Sequence, residues 1–333
     1  MGRGIAVAGN LIVDDIKYIE RYPAPQTLTT ITATERSTGG LACNCALTLA
    51  RLDPILPVTV IGLVGEDEAG EYVLAQFAGH PSIDASRVRR QGVTSYTDVM
   101  TERDTGRRTF FQYRGANAHL GPEHFDVAGL DADILHVGYI LLLDRLDGPD
   151  PDYPTALCRV LDAAQRAGVR TSIDVVSEAS DRFAALVPPA LTYTDYCIIN
   201  EIEAARTTGI PLRDDRDRLI VENLPAACAA LMAMGVGRWV VVHAPELSGG
   251  LERGGTYVQE ESWRLPPGFR RSSVGAGDAF ACGILYGAYH GWTLRESLHV
   301  AGAVAAQSLS GAGAADAIVP LPALLAGLEP YQV

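Results

Sequence analysis

Ser272-Ser273-Val274-Gly275-Ala276-Gly277-Asp278-Ala279-Phe280 joins two glycines, an acid and the start of an apolar run of small residues. Glycine lets a backbone turn tightly and approach a ligand closely. The run from Ala279 to Ala288 reads as a buried helix, so the glycines stand at its entrance. The first N–H groups of a helix lack intrahelical partners, and the dipole there favours negative charge. Gly275, Ala276 and Gly277 are therefore a candidate anion hole for a phosphate. Asp278 is placed to take a proton from a hydroxyl attacking that phosphate. The plainer reading is a Gly-rich helix start with Asp as an N-cap. No Gly-Lys-Ser/Thr follows, so the segment is not a Walker A loop.

Further candidates are spread along the chain. Asp14 falls five residues after Gly9, just past a short apolar strand, where open α/β sheets bind ligands. Gly39-Gly40 open a helix carrying Asn44, whose amide offers a donor and an acceptor to hydroxyls. Arg114 ends a strand-like stretch, and its planar fork suits a hydroxyl, carboxylate or phosphate; a surface ion pair is the equal alternative. Asn200 and Glu203 follow a strand at once, three residues apart, on one face of a first helical turn. They read as oxygen groups near a hard metal such as Mg²⁺, or as a capping pair. Asp174 stands at a strand end, and His136, inside a strand, reads as a core or rim histidine rather than a catalyst.

Strands are expected at 5–9, 58–65, 134–139, 171–175, 196–199 and 239–243, with edge strands at 256–258 and 262–265. Helices are expected at about 41–52, 71–79, 155–167 and 224–234, and from Asp278 to about Ser310 as one Ala-rich unit. The alternation after residue 134 implies parallel βαβ units. Residues 29–34 and 93–114 have β-branched or alternating character, with Asp104-Thr105-Gly106 as a hairpin signal. This suggests a small sheet standing apart from the main domain.

The chain has 333 residues, 47% hydrophobic and 20% charged, ordinary for a globular protein. Its net charge of −13 argues against bulk binding to nucleic acid. No apolar run reaches the ~20 residues of a membrane helix, so no membrane partner is expected. The start of the sequence lacks signal-peptide character, and Ala6 spoils a lipidation motif at Gly2. Six cysteines without a CxxC pair read as buried thiols in a reducing cytoplasm.

The opening motif resembles the DTxGAGD signature of the ribokinase-like (PfkB) carbohydrate kinase family. Gly9…Asp14, Gly39-Gly40…Asn44 (GGxxxNxA) and Asn200…Glu203 (NxxE) are similar to its other signatures and come in its order. The resemblance implies an α/β fold of three layers, a mainly parallel central sheet flanked by helices, plus a small β lid. It implies one kinase unit over 1–333, with the large domain at about 1–12, 39–92 and 118–333 and the lid at about 13–38 and 93–117. It further implies ATP-dependent phosphoryl transfer to a hydroxyl of a sugar or sugar-like alcohol. Asp278 is the base, and Asp14, Gly39, Gly40, Asn44 and Arg114 hold the acceptor. Asn200 and Glu203 serve Mg²⁺ and phosphate, largely through water, with Gly275 and Gly277 also on the nucleotide. Ser272 replaces an Asp that helps build the family's monovalent-cation site, which argues against K⁺ activation. Pro245 stands in a loop that usually contacts nucleotide, and it removes an N–H. A nucleoside kinase and a non-catalytic sugar or nucleotide sensor remain alternatives, and a homodimer through the lid is a further expectation.

Overall fold

The computed structural model describes residues 3–178 and 180–331; Gly2, with its excluded lipidation motif, lies outside the described residues. The chain begins with β1 (Ile5–Gly9), β2 (Ile12–Ile19) and β3 (Ile31–Gly39), followed by α1 (Leu41–Leu52), β4 (Val58–Val64), α2 (Glu68–Ala78) and β5 (Ile83–Arg90). A hairpin of β6 (Ser95–Glu102) and β7 (Arg108–Tyr113) precedes β8 (Ile134–Ile140), α3 (Ala156–Arg166), β9 (Arg170–Val175), α4 (Phe183–Leu191), β10 (Tyr196–Asn200) and α5 (Glu201–Thr208). The remainder is α6 (Leu224–Ala233), β11 (Trp239–His243), β12 (Leu247–Glu252), β13 (Tyr257–Glu261), α7 (Ala276–His290), α8 (Leu294–Ser308) and α9 (Leu321–Leu328).

Among the described residues one sheet has nine strands, in the order β13-β12-β11-β10-β9-β8-β1-β4-β5. All neighbours from β11 to β5 are parallel; β12 and β13 are antiparallel at one edge. Runs such as Val240-Val241-Val242 suit strands buried on both faces. Successive residues alternate between two cores. Val7, Ile198 and Val241 pack with α1, α7 and α8; Ala6, Ala8, Val240 and Val242 pack with α3, α5 and α6. That makes three layers. The order reverses at β1, which pairs with β8 on one side and β4 on the other. A crevice at the carboxyl ends of these strands is where such sheets bind ligands.

A second sheet of four strands, β3-β2-β6-β7, lies outside the main one. Only Asn10 and Leu11 separate β1 from β2. Leu11 is clamped by Asn117, whose Oδ1 accepts from the Leu11 N–H (3.2 Å) and whose Nδ2 donates to the Leu11 carbonyl (3.0 Å). The clamp ties the base of the small sheet to the large one.

Some expected elements differ. The helix after Asp278 is two helices, because Gly291 takes the left-handed conformation (φ 73°) and Thr293 with Glu296 starts α8 as a capping box. Ser262–Leu265 is not a strand; β13 ends at Glu261. The strand expected within 29–34 runs instead from Ile31 to Gly39, and β5, β12, α4 and α9 come in addition. All six cysteines are free and buried. Among the described residues no helix is long and apolar enough to cross a membrane.

Candidate active site

Three segments converge on Asp278. It lies in the first turn of α7 and is buried. Asn44, from the first turn of α1, donates through Nδ2 to Asp278 Oδ2 at 2.7 Å. Tyr139, at the end of β8, donates its hydroxyl to both carboxylate oxygens at 2.7 Å. Burial raises the Asp278 carboxyl above its usual range, and these two bonds work against the rise. Burial raises the Tyr139 phenol still more strongly, so it remains a neutral donor. Tyr139 is itself positioned by Asn10, whose Oδ1 accepts from the Tyr139 N–H at 3.1 Å.

α7 starts at Gly275 with φ 73°, a left-handed conformation that glycine adopts freely. A Cβ there would stand 2.2 Å from that of Ala314. The Ala276 N–H turns back to the Ser273 carbonyl at 3.5 Å, whereas the first-turn N–H groups of Gly277 and Asp278 have no backbone acceptor among the described residues and open beside Asp278's carboxylate. A Cβ on Gly277 would meet only the His243 ring, 3.5 Å from Cε1. His243 ends β11, pairs with Asn200 in register, and lies against the Phe280 ring at 4.8 Å between centroids. Burial pushes its imidazole down to about 4, so the ring is neutral.

Asp14 is the third residue of β2 and packs on Gly39, where a Cβ would fall 2.3 Å from Asp14 Oδ2. Gly40 caps α1 (φ 86°), one turn before Asn44. Contacts therefore run from Asp14 through Gly39, Gly40 and Asn44 to Asp278. Burial pushes the Asp14 carboxyl up to about 6, partly offset by a hydrogen bond with Thr97.

Asn200 and Glu203 form a reciprocal capping box at α5: Asn200 Oδ1 accepts from the Glu203 N–H and Glu203 Oε2 from the Asn200 N–H, both at 2.9 Å. Glu203 Oε1 also accepts from Ser177 at 2.8 Å. Burial pushes Glu203 up to about 7. Asp174 is raised well above its usual value, by burial first and then by the charges of Glu203 and Asp278. Among the described residues no three metal-ligating side chains are grouped to grip an ion directly.

Other sequence candidates lie at the margins. Arg114 ends the small sheet, 3.8 Å from Asp144. Ser272 is buried and its hydroxyl accepts from the Val274 N–H within the loop. After β11 the chain turns tightly, with the Ala244 N–H donating to the Leu247 carbonyl at 2.9 Å. Glu246 is tied through Arg213 to buried Glu201. Tyr139, Asp174 and His243 also belong to this region, beyond the residues the sequence motifs point to. Each sits at a strand's carboxyl end, which is the signal the sequence held.

The chain from residue 3 to residue 321 matches the family described as pfkB family carbohydrate kinase. It is 28% identical over 286 residues to the ATP-dependent ribose-1-phosphate kinase of Halopiger xanaduensis, covering 84% of this chain and 82% of that one. Its structure is similar to that of Arabidopsis thaliana ribokinase complexed with ribose and ATP (TM-score 0.79, 23% identity, 99% of each chain). It is also similar to the Methanocaldococcus jannaschii nucleoside kinase, an archaeal member of the ribokinase family (TM-score 0.73, 17% identity, 99% of this chain and 100% of that one).

Proposed function

Since the chain belongs to the pfkB family of carbohydrate kinases, phosphotransferases with an alcohol acceptor and a ribokinase-like fold, we propose that it moves the γ-phosphoryl group of ATP to a sugar hydroxyl. The observation that carries this reading is the Asp278 carboxylate, held by Asn44 and Tyr139, beside the open N–H groups of α7. Catalysis of phosphoryl transfer is mostly positioning and electrostatic stabilisation. Asp278 accepts the acceptor's proton. The N–H groups of Gly275 and Gly277 face the transferred phosphoryl oxygens, and that of Ala276 joins them by leaving the Ser273 carbonyl. Asp14, Gly39, Gly40, Asn44 and Arg114 orient the acceptor. The four-stranded sheet acts as a lid over it, excluding water.

Magnesium fits the donor side. Asp174 and Glu203 are buried carboxylates, both raised first by burial, and the charge of Glu203 raises Asp174 further; among the described residues neither has an ion-pair partner. Such uncompensated charge suits a hard cation. Direct ligation by Asn200 and Glu203 would break their capping box, so they would hold Mg²⁺ through water. When bound, Mg²⁺ neutralises charge on the phosphate oxygens.

His243 stands on the other side of the phosphate site and supplies an N–H donor where Pro245 has none. His243→Ala is expected to raise the KM for ATP about tenfold or more, by loss of a hydrogen bond to a charged group. The KM for acceptor should change far less, and His243→Gln should recover part of the loss. Steady-state kinetics with each substrate varied in turn would check this; equal effects on both KM values would sink it.

Asp14 couples acceptor binding to stability. An unfolded aspartate titrates near ~4, whereas folded Asp14 titrates at about 6. The folded protein therefore holds a proton that the unfolded chain has lost between these values. Asp14 thus costs stability as pH rises through this window, by up to ~3 kcal/mol above it. Asp14→Asn should melt higher than wild type at pH 7.5, with the gap closing towards pH 4, while acceptor KM rises at least about tenfold. A gap independent of pH in thermal melts would contradict this.

A nucleoside acceptor is the second reading, favoured by exposed aromatics on β7. By register Phe110 shares Asp14's face of the small sheet, while Phe111 and Tyr113 lie on the other. Exposed edges at β3 and β7 would also suit a homodimer through the lid, which light scattering would test. A panel of pentoses, hexoses and nucleosides with ATP and Mg²⁺, read by ADP release, decides the acceptor. Tight sugar binding with no ADP formed would instead favour a sensor.

A further inference from the structure

Arg114 stands where β7 leaves the small sheet, and its backbone is fixed. Its carbonyl accepts from Ser95 Oγ (2.5 Å), and Ser95 Oγ in turn accepts from the Asn117 N–H (3.0 Å). Asn117 is the residue that clamps Leu11, three positions before Asp14. The guanidinium, by contrast, is poorly used. Nη1 is buried with no hydrogen-bond partner among the described residues. Nη2 faces Asp144 Oδ1 at 3.8 Å, too far for a hydrogen bond. Buried side-chain donors are nearly always paired, and an unpaired cationic one calls for an explanation.

The surroundings supply one. Asp144 belongs to the loop after β8, and that loop's Leu142 carbonyl accepts from Asn10 Nδ2 at 3.4 Å. The same strand end delivers Tyr139 to Asp278. Arg114 and Asp144 thus face each other between the base of the small sheet and the loop after β8, the loop whose strand carries Tyr139. A second cation stands at the far end of β7: Arg108 shares Asp14's face of the small sheet, and its charge lowers the Asp14 carboxyl slightly. The acceptor wall is otherwise acidic or neutral: Asp14, Asn44 and Asp278. A neutral sugar needs no guanidinium there. A planar fork with an unused N–H matches the two oxygens of a phosphate or carboxylate.

We propose that the acceptor is an anionic sugar, a sugar phosphate or a sugar acid, whose charged group is gripped by Arg114 while its hydroxyl meets Asp278. This rests on the kinase reading above and narrows its substrate class. In the free protein Asp144 is the weak stand-in for that anion. On binding, the guanidinium exchanges a 3.8 Å contact for charge-assisted hydrogen bonds.

The test compares matched acceptors on the full-length protein: a pentose, its phosphate monoesters and its aldonic acid. The phosphate and carboxylate arms tell the two anions apart. Wild type is expected to favour one anionic form over the neutral sugar by at least about 100-fold in kcat/KM, a difference within the range of charge-assisted bonds. Arg114→Gln should raise the KM for that anion at least about tenfold more than for the neutral sugar, with kcat much less affected, and Arg114→Lys should recover part. Titration calorimetry of the same compounds, without ATP, reads the grip independently of turnover. Absence of transfer to any sugar, with anion binding that Arg114→Gln abolishes, would overturn the kinase reading and leave the anion site standing. A wild type that prefers or binds the neutral sugar as well as its anions, or an Arg114→Gln loss equal for both, would overturn the proposal.

Discussion

Asp278→Asn is expected to lower kcat by about 10³-fold or more while acceptor and ATP affinities stay within a few-fold. General-base groups contribute ~10²–10⁴ to rate, and asparagine has the same shape but no basic oxygen pair. The neighbours decide how clean the experiment is. Tyr139 and Asn44 both donate to this carboxylate. An amide oxygen can still accept one of these bonds, whereas the amide nitrogen would face a donor. Some local rearrangement follows, but burial raises this carboxyl and so disfavours its charged form. Removing the charge should therefore leave the thermal midpoint equal to or above that of wild type. A stable variant that binds both substrates and does not turn over would isolate the base. Activity within tenfold of wild type would remove Asp278 from that role. Tyr139→Phe is the companion control: it keeps the carboxylate and removes one donor, so its loss should be smaller.

How far the sequence reveals this arrangement can be traced residue by residue. Gly275 to Asp278 is legible because local chemistry forces it: a left-handed glycine, then a helix of small buried residues, then an acid in the first turn. The strands from β8 to β11 are legible because parallel, doubly covered strands read as apolar runs. β5 is harder, since Ile83–Arg90 is half-exposed at a sheet edge and carries three arginines. α4 is hidden by Pro188 and Pro189, which argue against helix locally and are tolerated within a short buried segment. The two-helix break at Gly291 is marked in the sequence, but the Ala-rich runs on either side mask it. Tyr139's role is not local at all. Its hydroxyl reaches a residue 139 positions later, and the two meet only because β8 lies beside β1 while α7 packs on α1 and β10. The Asn200–Glu203 pair illustrates the opposite difficulty. Its spacing satisfies a capping box and an outer-sphere metal site equally, and the structure places both side chains in the capping box.

Gly277→Val separates the anion hole from the fold. Gly275 is the wrong place for this test, because its left-handed φ and its 2.2 Å approach to Ala314 make any side chain there destabilising. Gly277 differs. It lies within α7, and a Cβ on it would meet nothing closer than the His243 ring at 3.5 Å, an ordinary contact. Replacing a helical glycine generally costs no stability and often adds to it, so folding should survive. The added methyls would fill the space between the helix start and His243, where the phosphoryl oxygens must come to reach the N–H groups. Removing one oxyanion-hole donor costs ~10²–10³ in kcat in enzymes that rely on them, and obstructing the approach to several should cost at least as much. The expected result is a protein that melts within a few degrees of wild type, binds the acceptor normally, and has lost about 10²-fold or more in turnover. Gly277→Ala should fall between. If Gly277→Val turned over at near wild-type rate, the phosphate would have to be held elsewhere, and the first turn of α7 would revert to a plain helix cap.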